Sequence, residues 1–147
     1  MLKLQRKGAL HLKTITGKAA VVTAAALILS ACSSSYKVSS EEDAVSFLNS
    51  KNIAVAEGGS CKTVTIPEEF SDVYEQYNEL QKSQGYDLSG YRSREAQVYT
   101  FSVISVRGEH TENTEAHVMV CDGKVIGGDI SSPALDGGMC GFGRNEQ

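Results

Sequence analysis

Ala116-His117-Val118-Met119-Val120-Cys121-Asp122-Gly123-Lys124-Val125-Ile126-Gly127-Gly128-Asp129-Ile130 is the stretch that decides the fold. Two β-branched runs flank Asp-Gly, a pair that tolerates the positive φ angles of a two-residue hairpin turn. The reading is two antiparallel strands, 116–121 and 124–130, joined by that turn. Upstream, residues 96–107 form a longer strand in which Tyr99, Phe101 and Val103 share one face. Ile104 and Val106 continue the apolar set one residue out of phase, which predicts a β-bulge near Val103 and Ile104. The polar residues 108–114 read as a loop, and the Gly-rich residues 131–147 as irregular.

Further upstream the period changes. Pro67 with Glu68 and Glu69 suits the first turn of a helix, where a missing N–H is harmless and acids complement the dipole. Phe70, Val73, Tyr74, Tyr77 and Leu80 then make one apolar face, and Gly85 supplies a left-handed cap. Tyr86, Leu88 and Tyr91 anchor the loop that follows. Residues 53–57 and 61–66 alternate around Gly58-Gly59 and predict two short strands. Ser39 and Glu42 fit a capping box for a helix over 41–51, with Ala44, Val45, Phe47 and Leu48 as its buried stripe and Asn52 as its stop. The fold class is α+β: two helices on a mostly antiparallel sheet of four to five strands, over residues 41–147.

The beginning of the chain has a different logic. Lys3, Arg6, Lys7, Lys13 and Lys18 precede the uncharged run Ala19–Leu29, and no acid stands among them. That run falls short of the roughly 20 apolar residues a lasting span needs. Leu29-Ser30-Ala31-Cys32 closes it and resembles a bacterial lipobox, an aliphatic residue and two small ones before a cysteine. The expectation is a signal peptide over 1–31, cleavage recognised through Leu29, Ser30 and Ala31, and a diacylglyceryl thioether on Cys32. Two acyl chains suffice for stable anchoring. The expected location is the extracytoplasmic face of the cell membrane. Residues 32–40, rich in serine, are expected to be a tether.

Charge sharpens this. Five of the 14 basic residues lie in the first 31 positions, and all 18 acidic residues follow Cys32. Nine basic against 18 acidic residues leave −9 on the remainder. Such a surface argues against nucleic acid and against electrostatic docking on anionic lipid. A basic envelope partner or a cell-wall ligand is compatible with it.

Ile66-Pro67-Glu68-Glu69-Phe70, the Tyr-rich helix running into Gly85-Tyr86-Asp87-Leu88-Ser89-Gly90-Tyr91, Asp122–Asp129 and Ala134-Leu135-Asp136-Gly137 together resemble the bacterial domain of unknown function 4830. The resemblance covers about residues 41–142. It implies a lipoprotein or secreted protein of Firmicutes and no assigned activity. The family pattern often places a Cys after the Gly-Gly-Asp strand; here Ser131 stands there and Cys140 lies further on.

The most site-like cluster is Gly127, Gly128, Asp129, Asp136, Gly137 and Gly138. Glycines admit a ligand close to the backbone, and two carboxylates can hold a cation or move protons. The same residues equally shape a bulge and a turn. Tyr74, Tyr77, Tyr86 and Tyr91 either line an aromatic groove or pack as core. The ligand-binding candidates are therefore Asp129, Asp136, Tyr74 and Tyr77. No cofactor besides the lipid and no metal is expected. His117 and Cys121 have a ligand-like spacing, but four strand residues span about 13 Å. Of the three remaining cysteines, Cys121 and Cys140 are the expected pair if a disulfide forms; three reduced, buried thiols are the other reading. G-x-S-x-G, H-E-x-x-H and Walker A motifs are absent. The expected function is a non-catalytic binding or interaction module, with a small envelope enzyme or enzyme inhibitor as the alternative.

Overall fold

The computed structural model describes residues 35–134 and 137–143. The predicted signal peptide, Cys32 with its lipobox, Leu135 and Asp136 lie outside the described residues. Two helices, α1 (Glu41–Ser50) and α2 (Asp72–Ser83), cover a sheet of seven strands: β1 (Ile53–Val55), β2 (Ser60–Thr65), β3 (Glu95–Val106), β4 (Glu109–His110), β5 (Glu115–Cys121), β6 (Lys124–Ser131) and β7 (Met139–Cys140). The architecture is α+β and antiparallel, with more strands than the four to five expected. Among the described residues, no helix is long and apolar enough to cross a membrane.

The Asp122-Gly123 turn forms as read, with φ of 49° and 69°. β3 is the spine. β1 and β2 do not pair with each other; both pair with β3 on one edge, β1 at its end (Ile53 opposite Val106) and β2 at its start (Thr65 opposite Glu95). Gly58-Gly59 thus links two collinear strands rather than turning a hairpin. The bulge at Val103 and Ile104 is present: Ala54 faces Ser105 while Val55 faces Val103, leaving Ile104 over. Ile104 is exposed and does not join the core. The 108–114 loop contains β4, because Arg107 and Gly108 adopt positive φ and fold the chain back onto β3. The tail contains β7, paired with the end of β6.

Helix starts shift for identifiable reasons. Ser40, not Ser39, caps α1, its hydroxyl accepting from the Asp43 N–H at 3.2 Å while Asp43 accepts from the Ser39 N–H at 2.8 Å. The second helix begins at Asp72 rather than Pro67. Ile66 still bonds to the Arg94 carbonyl as sheet, so Pro67–Phe70 is spent leaving it, and Ser71 caps the helix at the Tyr74 N–H. Gly85 ends α2 with φ of 86°, and Tyr86 N–H bonds the Gln81 carbonyl.

Each helix takes one face of the sheet. Ala44, Phe47 and Leu48 of α1 pack on Phe101, Val118 and Val125. On the other face, Ile66, Leu88, Val98, Met119 and Ile126 form a second cluster beside α2. The predicted tether is docked from Tyr36 to Val38: Val38 is buried, Lys37 bridges Lys124, and Tyr36 stacks edge-on against Phe47. Val38 supplies the apolar anchor that makes this segment part of the domain.

Candidate functional site

The expected apolar face of α2 is half-buried, with Phe70, Tyr74 and Tyr77 packed against the second cluster, but its fully buried positions are polar. Val73 is 77% exposed, whereas Asn78 and Gln81 are fully buried and Tyr74 and Tyr77 half-buried. This i, i+3, i+4, i+7 set faces the sheet through polar groups. Asn78 Oδ1 accepts from the Leu88 N–H at 2.8 Å, and its Nδ2 donates to Asp87 at 3.1 Å. Gln81 Oε1 accepts from the Gly128 N–H at 2.8 Å, and Gln84 Nε2 donates to the Gly128 carbonyl at 2.9 Å. Gln84 Oε1 also accepts from the Phe142 N–H at 2.7 Å. Two side-chain amides thereby complete β6 at Gly128, between the docked 36–38 segment and β7.

This closeness explains the glycines. A Cβ on Gly128, whose φ is 152°, would overlap the His117 carbonyl and the Phe142 ring, and one on Gly127 would stand 2.7 Å from Gln81 Oε1. Both positions serve helix-on-sheet packing. They leave no space for a ligand at the backbone.

Asp129 follows directly and is 2% exposed. Tyr77 donates its hydroxyl to Asp129 Oδ2 at 3.0 Å, while Asp129 Oδ1 and Gln81 Nε2 are buried without a partner. Burial raises the Asp129 carboxyl above the ordinary range; nearby His117 and hydrogen bonds from Tyr77 and Ser131 work against that rise. The Tyr77 hydroxyl is pushed strongly up, first by burial and then by the Asp129 charge, and burial also raises Tyr74. His117 is the cross-strand neighbour of Asp129, and its Nδ1 lies 3.0 Å from Thr100 Oγ1. Its Nε2 lies 3.8 Å from Glu115. The result is a polar row across the sheet: Thr100, His117, Asp129, then Tyr77 on the helix. Phe70, Tyr74 and Tyr77 continue it as a ring ladder, with centroids 4.6 and 5.9 Å apart.

Of the four candidates read from the sequence, the structure therefore brings Tyr74, Tyr77 and Asp129 together, while Asp136 lies outside the described residues. It adds His117, Thr100, Asn78 and Gln81 to them. His117 is legible in principle. A two-residue turn at 122–123 puts 117 opposite 128, and one bulged residue moves it to 129, as observed.

Cys121 and Cys140 are not brought together. Cys121 ends β5 at the hairpin and sits in the cluster beside α2. Cys140 pairs with Ile130 at the far end of β6 and packs toward the α1 face. Six strand residues, about 20 Å, separate their partners on β6. The expected return of the tail to the hairpin does not occur, because β7 pairs at the opposite end. Cys61 is exposed on β2.

Two clefts flank β6. One, about 480 Å³, opens beside its end and is lined by Val106, His110, Ile130, Ser131, Met139 and Phe142 among others. The other, about 520 Å³, opens beside its start, with Tyr36, Lys51, Tyr86, Asp87, Tyr91 and Lys124 on its walls. Both fall in the usual size range of small-ligand sites. No group of three or more His, Cys, Asp or Glu side chains suited to a metal occurs among the described residues.

No curated protein and no solved structure matches the chain. A family match spans residues 47–130, from within α1 to the Asp129 region of β6, so it includes the Tyr74–Tyr77–Asp129 row and the Gln81–Gly128 contact. That match covers more than half of the 147 residues, and the chain belongs to the family described as Domain of unknown function (DUF4830).

Proposed function

We propose that this protein is an extracytoplasmic lipoprotein, anchored through Cys32, whose domain is a non-catalytic binding module of the cell envelope. The observation that carries the binding reading is the 480 Å³ cleft at the end of β6. Its lining mixes apolar side chains with a few polar ones, and Met139 is 53% exposed at its rim. It opens at the end of β6 opposite the docked Tyr36–Val38 segment. The described chain therefore enters the domain at the other end of β6 from this cleft.

Two measurements test the reading separately. Fatty-acid labelling of cells producing the wild type and Cys32→Ala tests the anchor: label in the wild type alone supports it, and equal label rejects it. For the cleft, a photo-crosslinking residue at Met139 of the lipidated protein is compared with one at Val73 on the exposed side of α2. A discrete adduct from Met139 alone supports the binding module. Identical adduct patterns from both positions reject the cleft as its site.

A second reading rests on Asp129. A carboxyl held above its ordinary range beside a tyrosine and a histidine has the makings of a proton-transfer group. Its burial under α2 favours a structural role for it, and the polar stitches around it point the same way.

A further inference from the structure

The acidic excess of the domain is not spread evenly. Lys37 and Lys124 stand directly opposite each other in an antiparallel bridge, fixed by Val38 N–H to Gly123 carbonyl at 2.9 Å and Val125 N–H to Tyr36 carbonyl at 3.0 Å. Like charges in that position repel. Neither lysine is in an ion pair among the described residues. Lys124 shares the wall of the 520 Å³ cleft with Lys51, at the end of α1, and with three tyrosines. Among the described residues the one acid on that wall, Asp87, is turned to its own loop: its Oδ1 accepts from Asn78 Nδ2, the Ser89 N–H and the Ser89 hydroxyl. Asp122 in the adjoining turn is paired with Arg94.

We propose that this end of the domain docks on anionic phospholipid headgroups, whose phosphates neutralise the Lys37–Lys124 pair. The inference rests on the anchor at Cys32. Cys32 to Tyr36 is four residues, which reach at most about 14 Å however they run. The acylated cysteine therefore keeps Lys37 and Lys124 within reach of the headgroup layer. Lysine and tyrosine are the side chains that suit that layer, the first by charge and the second by its amphipathic ring. The remaining surface, with its net negative charge, is repelled by the same lipids. Attraction at one end and repulsion elsewhere fix an orientation, with the 480 Å³ cleft outward.

The test uses the mature lipidated protein in vesicles of phosphatidylcholine alone or mixed with phosphatidylglycerol. Acetylation rates of Lys37 and Lys124 are read by mass spectrometry against Lys62 and Lys82 as internal references. The expected result is several-fold slower acetylation of Lys37 and Lys124 on phosphatidylglycerol vesicles only, reversed by high salt. Inorganic phosphate added to the phosphatidylcholine sample is expected to leave both lysines reactive. Protection there identifies a free-phosphate site and overturns the lipid assignment. Equal rates on both vesicles, with acyl chains present on Cys32 by intact mass, overturn the docking surface while leaving the anchor standing. An intact mass without acyl chains overturns both. Charge reversal in Lys37→Glu/Lys124→Glu, monitored at Lys51, is expected to abolish the lipid-dependent slowing; slowing that persists at Lys51 also rejects the proposal.

Discussion

The two faces of the sheet are closed by different chemistry. Under α1 the buried contact is apolar: Phe47 packs edge-on to Phe142 and Tyr36, with Ala44 and Leu48 beside it. Under α2 the buried helix positions are an asparagine and a glutamine, and the helix is held by hydrogen bonds to Leu88, Gly128 and Asp129. Apolar packing is non-directional and tolerates small shifts. Hydrogen bonds in a buried setting fix one register and penalise any loss of a partner. One face supplies cohesion, and the other sets where α2 sits along β6.

The comparison breaks most visibly at Phe47. Phe47→Ala removes the ring that joins α1 to both termini of the described domain and is expected to lower stability by about 3–5 kcal/mol in urea unfolding. A loss under about 1 kcal/mol would mean that the α1 face is not the main source of cohesion.

Gln81→Ala tests the other face. It strands the Gly128 N–H, and a buried unsatisfied donor costs about 1–3 kcal/mol. The loss is expected to come with faster amide exchange at Gly128 and Phe142 while exchange in α1 is unchanged. Uniformly faster exchange would show that the two faces are not separable.

The same contrast explains what is legible in the sequence. The hairpin at 122–123, the α1 stripe, the Gly85 cap and the bulge at Ile104 all follow from local rules of turn chemistry and apolar period, and all are present. The α2 face is read only in part: Tyr74 and Tyr77 pack inward as expected, but period analysis counts apolar residues and passes over the fully buried Asn78 and Gln81. Their burial depends on β6, 47 residues away from Gln81 in the chain. β7 and the docking of Tyr36–Val38 escape for the same reason, since two- or three-residue pairings carry no periodic signal. At the candidate site, Tyr77 and Asp129 stand out separately by residue type; that they touch is a tertiary fact.

Tyr77→Phe sharpens the site itself. It keeps the ring in its contact with Tyr74 and removes only the donor to Asp129. The expected loss in urea unfolding is about 1 kcal/mol at neutral pH. An unchanged midpoint would show that the hydroxyl contributes nothing to holding α2.

The smallest effect, and the most specific to the polar face, is in the pH dependence of Asp129. Burial raises its native carboxyl above the unfolded value of about 3.9. The native state then binds its proton more tightly than the unfolded chain does. Stability from this group is present below the unfolded value and is lost as pH rises through the raised native value. Every tenfold difference in proton affinity between the two states corresponds to about 1.4 kcal/mol. Asp129→Asn has no proton to lose and keeps an acceptor for Tyr77. The variant should match the wild type in urea midpoint near pH 4 and gain on it as pH rises, levelling off once the carboxyl is ionised. Taking the difference between the two proteins cancels the exposed carboxylates, Asp87 included, whose hydrogen bonds hold it down at about 2 and which weaken the fold as pH falls. His117 faces Asp129 and favours its charged form, so His117→Gln in both backgrounds should widen the gap. A difference that stays flat with pH would show that the Asp129 carboxyl is not shifted by burial, and one that shrinks as pH rises would show that it is stabilised as an anion and that α2 is held by charge rather than by neutral hydrogen bonds.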